Sequence, residues 1–222
     1  MRPSSTVLFD LDGTLIDSIE LIIDSYLHVV RVHGLPRLSR DEIIEGIGTP
    51  LVSVFGRMTD DRDTIATWIA TYREFNLAHH DTRVRAFPGV VEAVRQIHEA
   101  GRRLGVVTSK NHAGARRGLS LIGLEGVMDV VIGADDVTRH KPHPEPVLRA
   151  LADLGAPAGD AVFIGDSHHD IESGRAAGVR TIAVTWGPIS RERLALAMPD
   201  HLCASPAELL GAVGLPAQSP VG

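Results

Sequence analysis

Between Val90 and Val184 the chain alternates helical patterns with short apolar runs, and few architectures accept that alternation. Helices are expected at Val90–Ala100, Ala113–Gly123, Glu145–Leu154 and Ile171–Ala177, with strands at Leu104–Val107, Val127–Ile132, Ala161–Ile164 and Thr181–Val184. Strand following helix in this way builds a parallel sheet covered by its crossovers. An earlier run, Val7-Leu8-Phe9, has the same character and supplies at least a fifth strand. The expected fold class is α/β, a doubly wound, Rossmann-like parallel sheet.

The pattern breaks between Asp17 and Arg83, where no strand and helix alternate. Ser18–Gly34 repeats Leu21, Ile22, Tyr26 and Val29 at helical spacing and stops at Gly34 and Pro36. Ser39 with Glu42 three residues on forms a capping box that opens a second helix toward Gly46. Thr64–Leu77 is amphipathic, and its stripe of Trp68, Tyr72 and Phe75 is expected to pack inside this segment. Residues 17–83 therefore read as an all-helical insertion, with 1–16 and 84–222 forming the α/β unit. Gly211–Gly222, rich in Gly, Pro and Ala, is expected to fray.

With 222 residues and 44% hydrophobic content, the chain can bury a sizeable core. Its net charge of -6 argues against nucleic-acid or anionic-membrane partners, so an anionic ligand must be held by local cations and backbone donors. A single cysteine, Cys203, excludes an internal disulfide and is expected to be buried. Only Met1–Thr6 precede the first strand, which leaves no room for a signal peptide, and no apolar run approaches the roughly 18 residues of a membrane span. The cytoplasm is the expected compartment; the sequence says nothing of oligomeric state.

Ligands of an open parallel sheet bind at the carboxyl ends of its strands, and here those ends carry the polar residues. The first strand runs into Asp10-Leu11-Asp12-Gly13-Thr14. Asp10 and Asp12, two apart, share one side, so one carboxylate can attack while the other handles protons. Gly13 allows close backbone approach, and Thr14 adds a hydroxyl and an N–H. A calcium loop would need further acids at alternate positions, but Leu15, Ile16 and Ile19 follow. Thr108-Ser109 closes the Leu104–Val107 strand and can hold an anion at a helix N-terminus. Gly165-Asp166 closes the Ala161–Ile164 strand, Asp170 follows four residues on, and Lys141 arrives on a Pro-rich loop as a point charge for phosphate oxygens and the nucleophile. Converging carboxylates repel unless a cation intervenes, and an all-oxygen ligand set selects Mg²⁺.

These segments, in this order and spacing, resemble the four motifs of the haloacid dehalogenase superfamily. The resemblance spans about Val7 to Val184, and the helical insertion is similar to the small cap of its phosphoglycolate phosphatase branch. It implies Asp10 as nucleophile and Asp12 as general acid/base, with Thr108 and Lys141 as phosphate binders. It also implies Mg²⁺ held by Asp10, Asp12 and Asp166, with Asp170 behind them. Glu20-Leu21-Ile22-Ile23, Thr71 to Asn76, His79-His80-Asp81, Asp135 to Thr138 and Lys141 to Pro146 further resemble the superfamily's bacterial pyrophosphatases. Pyrophosphate is therefore the expected substrate, and 2-phosphoglycolate or another small organic phosphate the alternative. Dehalogenases of the superfamily lack an acid where Asp12 stands, and its mutases carry an arginine in a cap loop where this chain has Thr49; both activities are disfavoured. Gly46, Gly48 and Thr49 of that loop are expected to present N–H groups and a hydroxyl to the leaving group. The pairs His79-His80 and His168-His169 lack thiolate partners and are not read as a zinc site.

Overall fold

The computed structural model describes residues 4–216. Its centre is β1 (Thr6–Phe9), flanked in a parallel sheet by β4 (Arg103–Val107) on one side and β6 (Ala161–Gly165) on the other. Beyond β4 lies β5 (Val130–Ile132); beyond β6 lie β7 (Arg180–Val184) and β8 (His201–Cys203), and all six strands run parallel. The chain builds outward from β1 first in one direction and then in the other. The reversal opens a crevice at the carboxyl ends of β1, β4 and β6.

Alternation along β1 divides the interior. Val7 and Phe9 point into one apolar layer with Val106 and Ile164, covered by α5 (Val90–Glu99) and α10 (Pro206–Ala212). Leu8 points into the other with Val107 and Phe163, beneath α7 (Glu145–Leu154). All three apolar β1 side chains are fully buried, which at roughly 1.5–3 kcal/mol each ties the first strand firmly into the sheet. Crossovers α6 (His112–Leu121) and α8 (His168–Ala176) complete the layers, and α9 (Arg191–Leu196) seats Leu194 against Ile171 and Ala183.

Residues leaving β1 form a two-stranded antiparallel ribbon before anything helical begins: β2 (Ile16–Asp17) pairs with β3 (Arg85–Ala86). Between the ribbon's strands lie α1 (Ile19–His33), α2 (Arg40–Gly46), α3 (Leu51–Phe55) and α4 (Arg62–Arg83). Gly34 ends α1 in the left-handed conformation, the Ser39–Glu42 capping box forms, and Asp61 caps α4 by accepting from the Thr64 amide at 3.2 Å. These helices have their own apolar centre, where Tyr26, Phe55, Trp68 and Tyr72 pack ring against ring. Phe75, expected in that stripe, turns instead to the sheet's core and stacks on His28.

Two expectations are corrected. The strand expected at Val127–Ile132 begins only at Val130, because Asp129 Oδ2 takes the Leu104 amide at 2.8 Å and Glu125–Val127 coils into a 3₁₀ turn. The sheet has the five strands expected as a minimum and a sixth, β8, whose three residues are too few to show a period. The expected frayed tail starts too early, since Gly211 lies within α10 and Val213 is buried on the core; positions 217–222 lie outside the described residues. Cys203 is buried as expected, and burial pushes its thiol up to about 11. Among the described residues, no helix is long and apolar enough to cross a membrane.

Candidate active site

At the mouth of the crevice, Asp10, Asp166 and Asp170 bring one carboxylate oxygen each within 4.8 Å of one another, all buried. One cation serves the group from the protein side. Lys141 Nζ lies 2.6 Å from Asp170 Oδ1, 3.0 Å from Asp10 Oδ1 and 3.3 Å from the Val107 carbonyl. Burial disfavours its charge, but Asp10 and Asp170 outweigh that and raise its pKa. Asp170 is saturated, because its second oxygen accepts from the Ser167 hydroxyl at 2.6 Å and the Ser167 amide at 3.1 Å in the capping box that starts α8. Asp10 is not: among the described residues Oδ1 has no aligned hydrogen-bond donor despite its proximity to Lys141.

Three acids against one lysine leave an uncompensated charge. Burial, with Asp170 adding to it against Lys141, pushes the Asp10 carboxyl up to about 7. Burial and then Asp10 and Asp170 push Asp166 well above the usual carboxylate range. A divalent cation bound between Asp10 and Asp166 would relieve both, and an orphaned oxygen plus an all-oxygen donor set fits a hard ion. Gly13 makes room for this arrangement. Its φ is +86°, and a Cβ built there would stand 2.3 Å from Asp166 Oδ2. Gly13→Ala should therefore displace the Asp166 carboxylate, weaken divalent-cation binding at the trio by at least about tenfold and lower the melting temperature, since left-handed backbone alone costs roughly 1–2 kcal/mol. An unchanged Mg²⁺ titration would show that Asp166 tolerates the displacement.

Asp12 faces a different environment. Expected among the metal ligands, its carboxylate lies outside the convergent trio because Oδ1 is engaged by Lys110 Nζ at 2.8 Å and the Ser18 hydroxyl at 2.6 Å. Burial alone would raise its pKa, but Lys110, Ser18 and, more weakly, His80 hold it low. Two aspartates two residues apart are thus driven in opposite directions: Asp12 has its cation in Lys110, whereas Asp10 shares Lys141 with Asp170 and needs further positive charge to ionise fully.

The other expected residues divide by position. Thr108 lines the cavity above the acids, and its Oγ1 accepts from the Lys110 amide at 3.2 Å. Thr14, expected to touch substrate, donates its hydroxyl to Asp166 Oδ1 at 2.7 Å instead, so it orients a carboxylate. The Ser109 hydroxyl donates to the Gly48 carbonyl and so joins the sheet to the α2–α3 loop. Gly48 and Thr49 line the cavity; Gly46 does not, and its carbonyl accepts from the Thr49 amide at 3.0 Å in a turn. With φ at +93° and His169 Cδ2 3.1 Å from a built Cβ, Gly48 has a conformational reason to be glycine whatever it binds. The rings of His168 and His169 lie tilted against each other with centres 3.9 Å apart, outside the acidic trio; burial, with His168 adding to it, lowers His169 to about 4.

Several contributors went unrecognised in the sequence. Ser18 was visible only as a helix start; in the structure its side chain makes no cap bond and serves Asp12. Lys110 directly follows Thr108-Ser109, but nothing local reveals that it reaches back across 98 positions to Asp12. Tyr72, Arg73, Asn76 and His80 of α4 form the roof of the cavity, which encloses about 480 Å³.

A model of haloacid dehalogenase-like hydrolases matches residues 7–184, nearly all of the sheet and the whole helical insertion. The chain belongs to the haloacid dehalogenase-like hydrolase family. It is 41% identical over 214 residues to Pyrophosphatase PpaX of Halalkalibacterium halodurans, covering 96% of this chain and 99% of that one. Similarity to Pyrophosphatase PpaX of Anoxybacillus flavithermus is of the same order, 40% over 211 residues and 95% and 97% of the two chains. A solved haloacid dehalogenase-like family hydrolase from Streptococcus pneumoniae superposes with a TM-score of 0.82 at 25% identity, over 96% of this chain and 99% of the other. The protein is a hydrolase of this family.

Proposed function

We propose that this hydrolase is a Mg²⁺-dependent pyrophosphatase working through an aspartyl-phosphate. The observation that carries the reading is the contrast between Asp10, crowded with Asp166 and Asp170 around an unmet charge, and Asp12, held ionised by Lys110 two residues away. Support for pyrophosphate comes from the similarity, at about 40% identity over almost the full length, to proteins named pyrophosphatase.

In this reading Asp10 attacks phosphorus in line, the bond to the leaving oxygen breaks, and a phosphoryl group is transferred to the carboxylate. Lys141 and Thr108 neutralise and hold its equatorial oxygens, where most of the catalysis of phosphoryl transfer lies. Asp12 then removes a proton from the water that hydrolyses the intermediate. Mg²⁺ held by Asp10 and Asp166 would supply charge neutralisation between nucleophile and phosphoryl group. An Asp12 that is ionised at rest is a ready base but a poor proton donor, which suits an anhydride: its leaving group is a phosphate, which departs with little protonation, unlike an alkoxide. The helical insertion roofs the cavity and keeps bulk water from the intermediate.

A panel of pyrophosphate, 2-phosphoglycolate and hexose phosphates, compared by kcat/KM, tests the substrate. Pyrophosphate is expected to lead by at least about tenfold; a higher value for 2-phosphoglycolate would transfer the reading to the ester. Chelation with EDTA should abolish turnover, with Mg²⁺ restoring it better than Ca²⁺, whose longer bonds and larger shell misplace the in-line geometry. Full activity in chelator would remove the metal from the reaction.

A further inference from the structure

His80 is a buried histidine with one nitrogen fixed and the other unclaimed. It sits near the end of α4, is only 1% exposed, and contributes to the cavity roof. Its Nδ1 lies 2.8 Å from Asp81 Oδ1. Asp81 is held in turn by Arg117 of α6, Nε to Oδ1 and Nη2 to Oδ2, both at 2.9 Å. Arg117 first and His80 second keep the Asp81 carboxyl well below its usual range, so Asp81 is an acceptor and Nδ1 carries the proton. This fixes the ring's orientation and leaves Nε2, buried and without a partner among the described residues, as the free edge.

A buried imidazole nitrogen with no partner costs free energy that a bound ligand can recover. The cavity's composition says which ligand. Arg73 lies two helical turns before His80 on the same face and also lines the cavity, as does Arg117. The phosphoryl group being transferred is served from below by Lys141 and Thr108, so cations on the roof face the part of the substrate that departs. With Nδ1 committed to Asp81, Nε2 is the edge through which the ring can still share a proton with a phosphate oxygen.

We propose that His80 is the contact between the helical insertion and the leaving half of the substrate, its Nε2 hydrogen-bonding a non-bridging oxygen of the departing phosphate while Asp81 and Arg117 hold the ring. This rests on the pyrophosphatase reading and extends it to the residue that recognises the second phosphoryl group.

The test compares pyrophosphate with p-nitrophenyl phosphate, whose leaving group offers no phosphate oxygens, and measures competitive inhibition by methylenediphosphonate against methylphosphonate. His80→Phe keeps the ring's bulk without the hydrogen-bonding nitrogen, and His80→Gln restores a shorter neutral hydrogen-bonding group. A hydrogen bond to a charged group is worth on the order of 10- to 150-fold, so His80→Phe should lower kcat/KM for pyrophosphate and raise Ki for methylenediphosphonate by that range. The aryl phosphate and methylphosphonate should change less than about threefold, His80→Gln should fall between native and His80→Phe, and Asp81→Asn should reproduce part of the loss. Equal losses on both substrates, or an unchanged Ki for methylenediphosphonate, would overturn the role of His80. If His80→Phe does not fold, His80→Gln and Asp81→Asn decide on the same ratio. A native enzyme that hydrolyses pyrophosphate no better than the aryl ester would instead overturn the substrate reading, before any variant is made.

Discussion

Asp10→Asn should leave a folded protein whose turnover is lower by on the order of 10⁴-fold or more, the scale seen when a covalent nucleophile is removed. An amide keeps the shape of the carboxylate but is a far weaker nucleophile and metal ligand. The fold has no reason to fail. Lys141 keeps its shorter contact to Asp170, and the substitution removes one of three mutually repelling acids that burial already holds near neutrality. A melting temperature at or above that of the native chain is therefore expected beside the lost activity. Phosphate release measured with excess Mg²⁺, together with thermal denaturation, checks both halves; turnover within about 100-fold of native would remove Asp10 from the role of nucleophile.

Asp12→Ala should cost on the order of 10²- to 10⁴-fold, the usual contribution of general acid/base catalysis, and the loss should depend on what is measured. kcat/KM reports events up to departure of the leaving group, so its loss should grow as the leaving group becomes more basic and be least for pyrophosphate and aryl phosphates. For those substrates the defect moves to kcat, because the phosphorylated Asp10 waits for a water that nothing deprotonates. Acid quenching during turnover should trap phosphoenzyme in the variant and little in the native protein. Uniform loss in kcat/KM across leaving groups, without a trapped intermediate, would contradict the role. Lys110→Met is the companion: it frees Asp12 of its counter-charge, and kcat should fall while KM changes little.

What the sequence made legible was set by range. Asp10, Thr108 and Asp166 were readable as a group because each sits at the end of an apolar run, and strand order in a parallel sheet brings such ends together. The helices of residues 17–83 were readable from spacing and caps. The roof was not: Tyr72, Asn76 and His80 look like one more amphipathic stripe until the helix is placed over the sheet, and only then does the buried face prove to be partly a cavity wall. Thr14 misled for the same reason, since a hydroxyl beside a catalytic loop is equally suited to a ligand or to a neighbouring carboxylate, and Asp166 lies 152 positions away. Local chemistry named the donors; only the fold assigned their acceptors.

The ribbon of Ile16–Asp17 against Arg85–Ala86 means that the polypeptide leaves and re-enters the sheet unit through two adjacent strands held in antiparallel register. Everything that roofs the cavity hangs from that one narrow stem, while Asp10, Asp12, Thr108, Lys141 and Asp166 lie on the other side of it. The molecule thus has a ready splice point. Exchanging residues 18–84 for the equivalent helices of a relative requires matching two pairs of ribbon residues, the facing contacts of Ser18, Gly48 and Asp81, the Glu45–Arg193 pair, and the packing of Leu21, Phe75 and Val84 on the sheet's core. A library of such chimaeras would sort the family's substrate preferences by roof alone, over one unaltered catalytic floor.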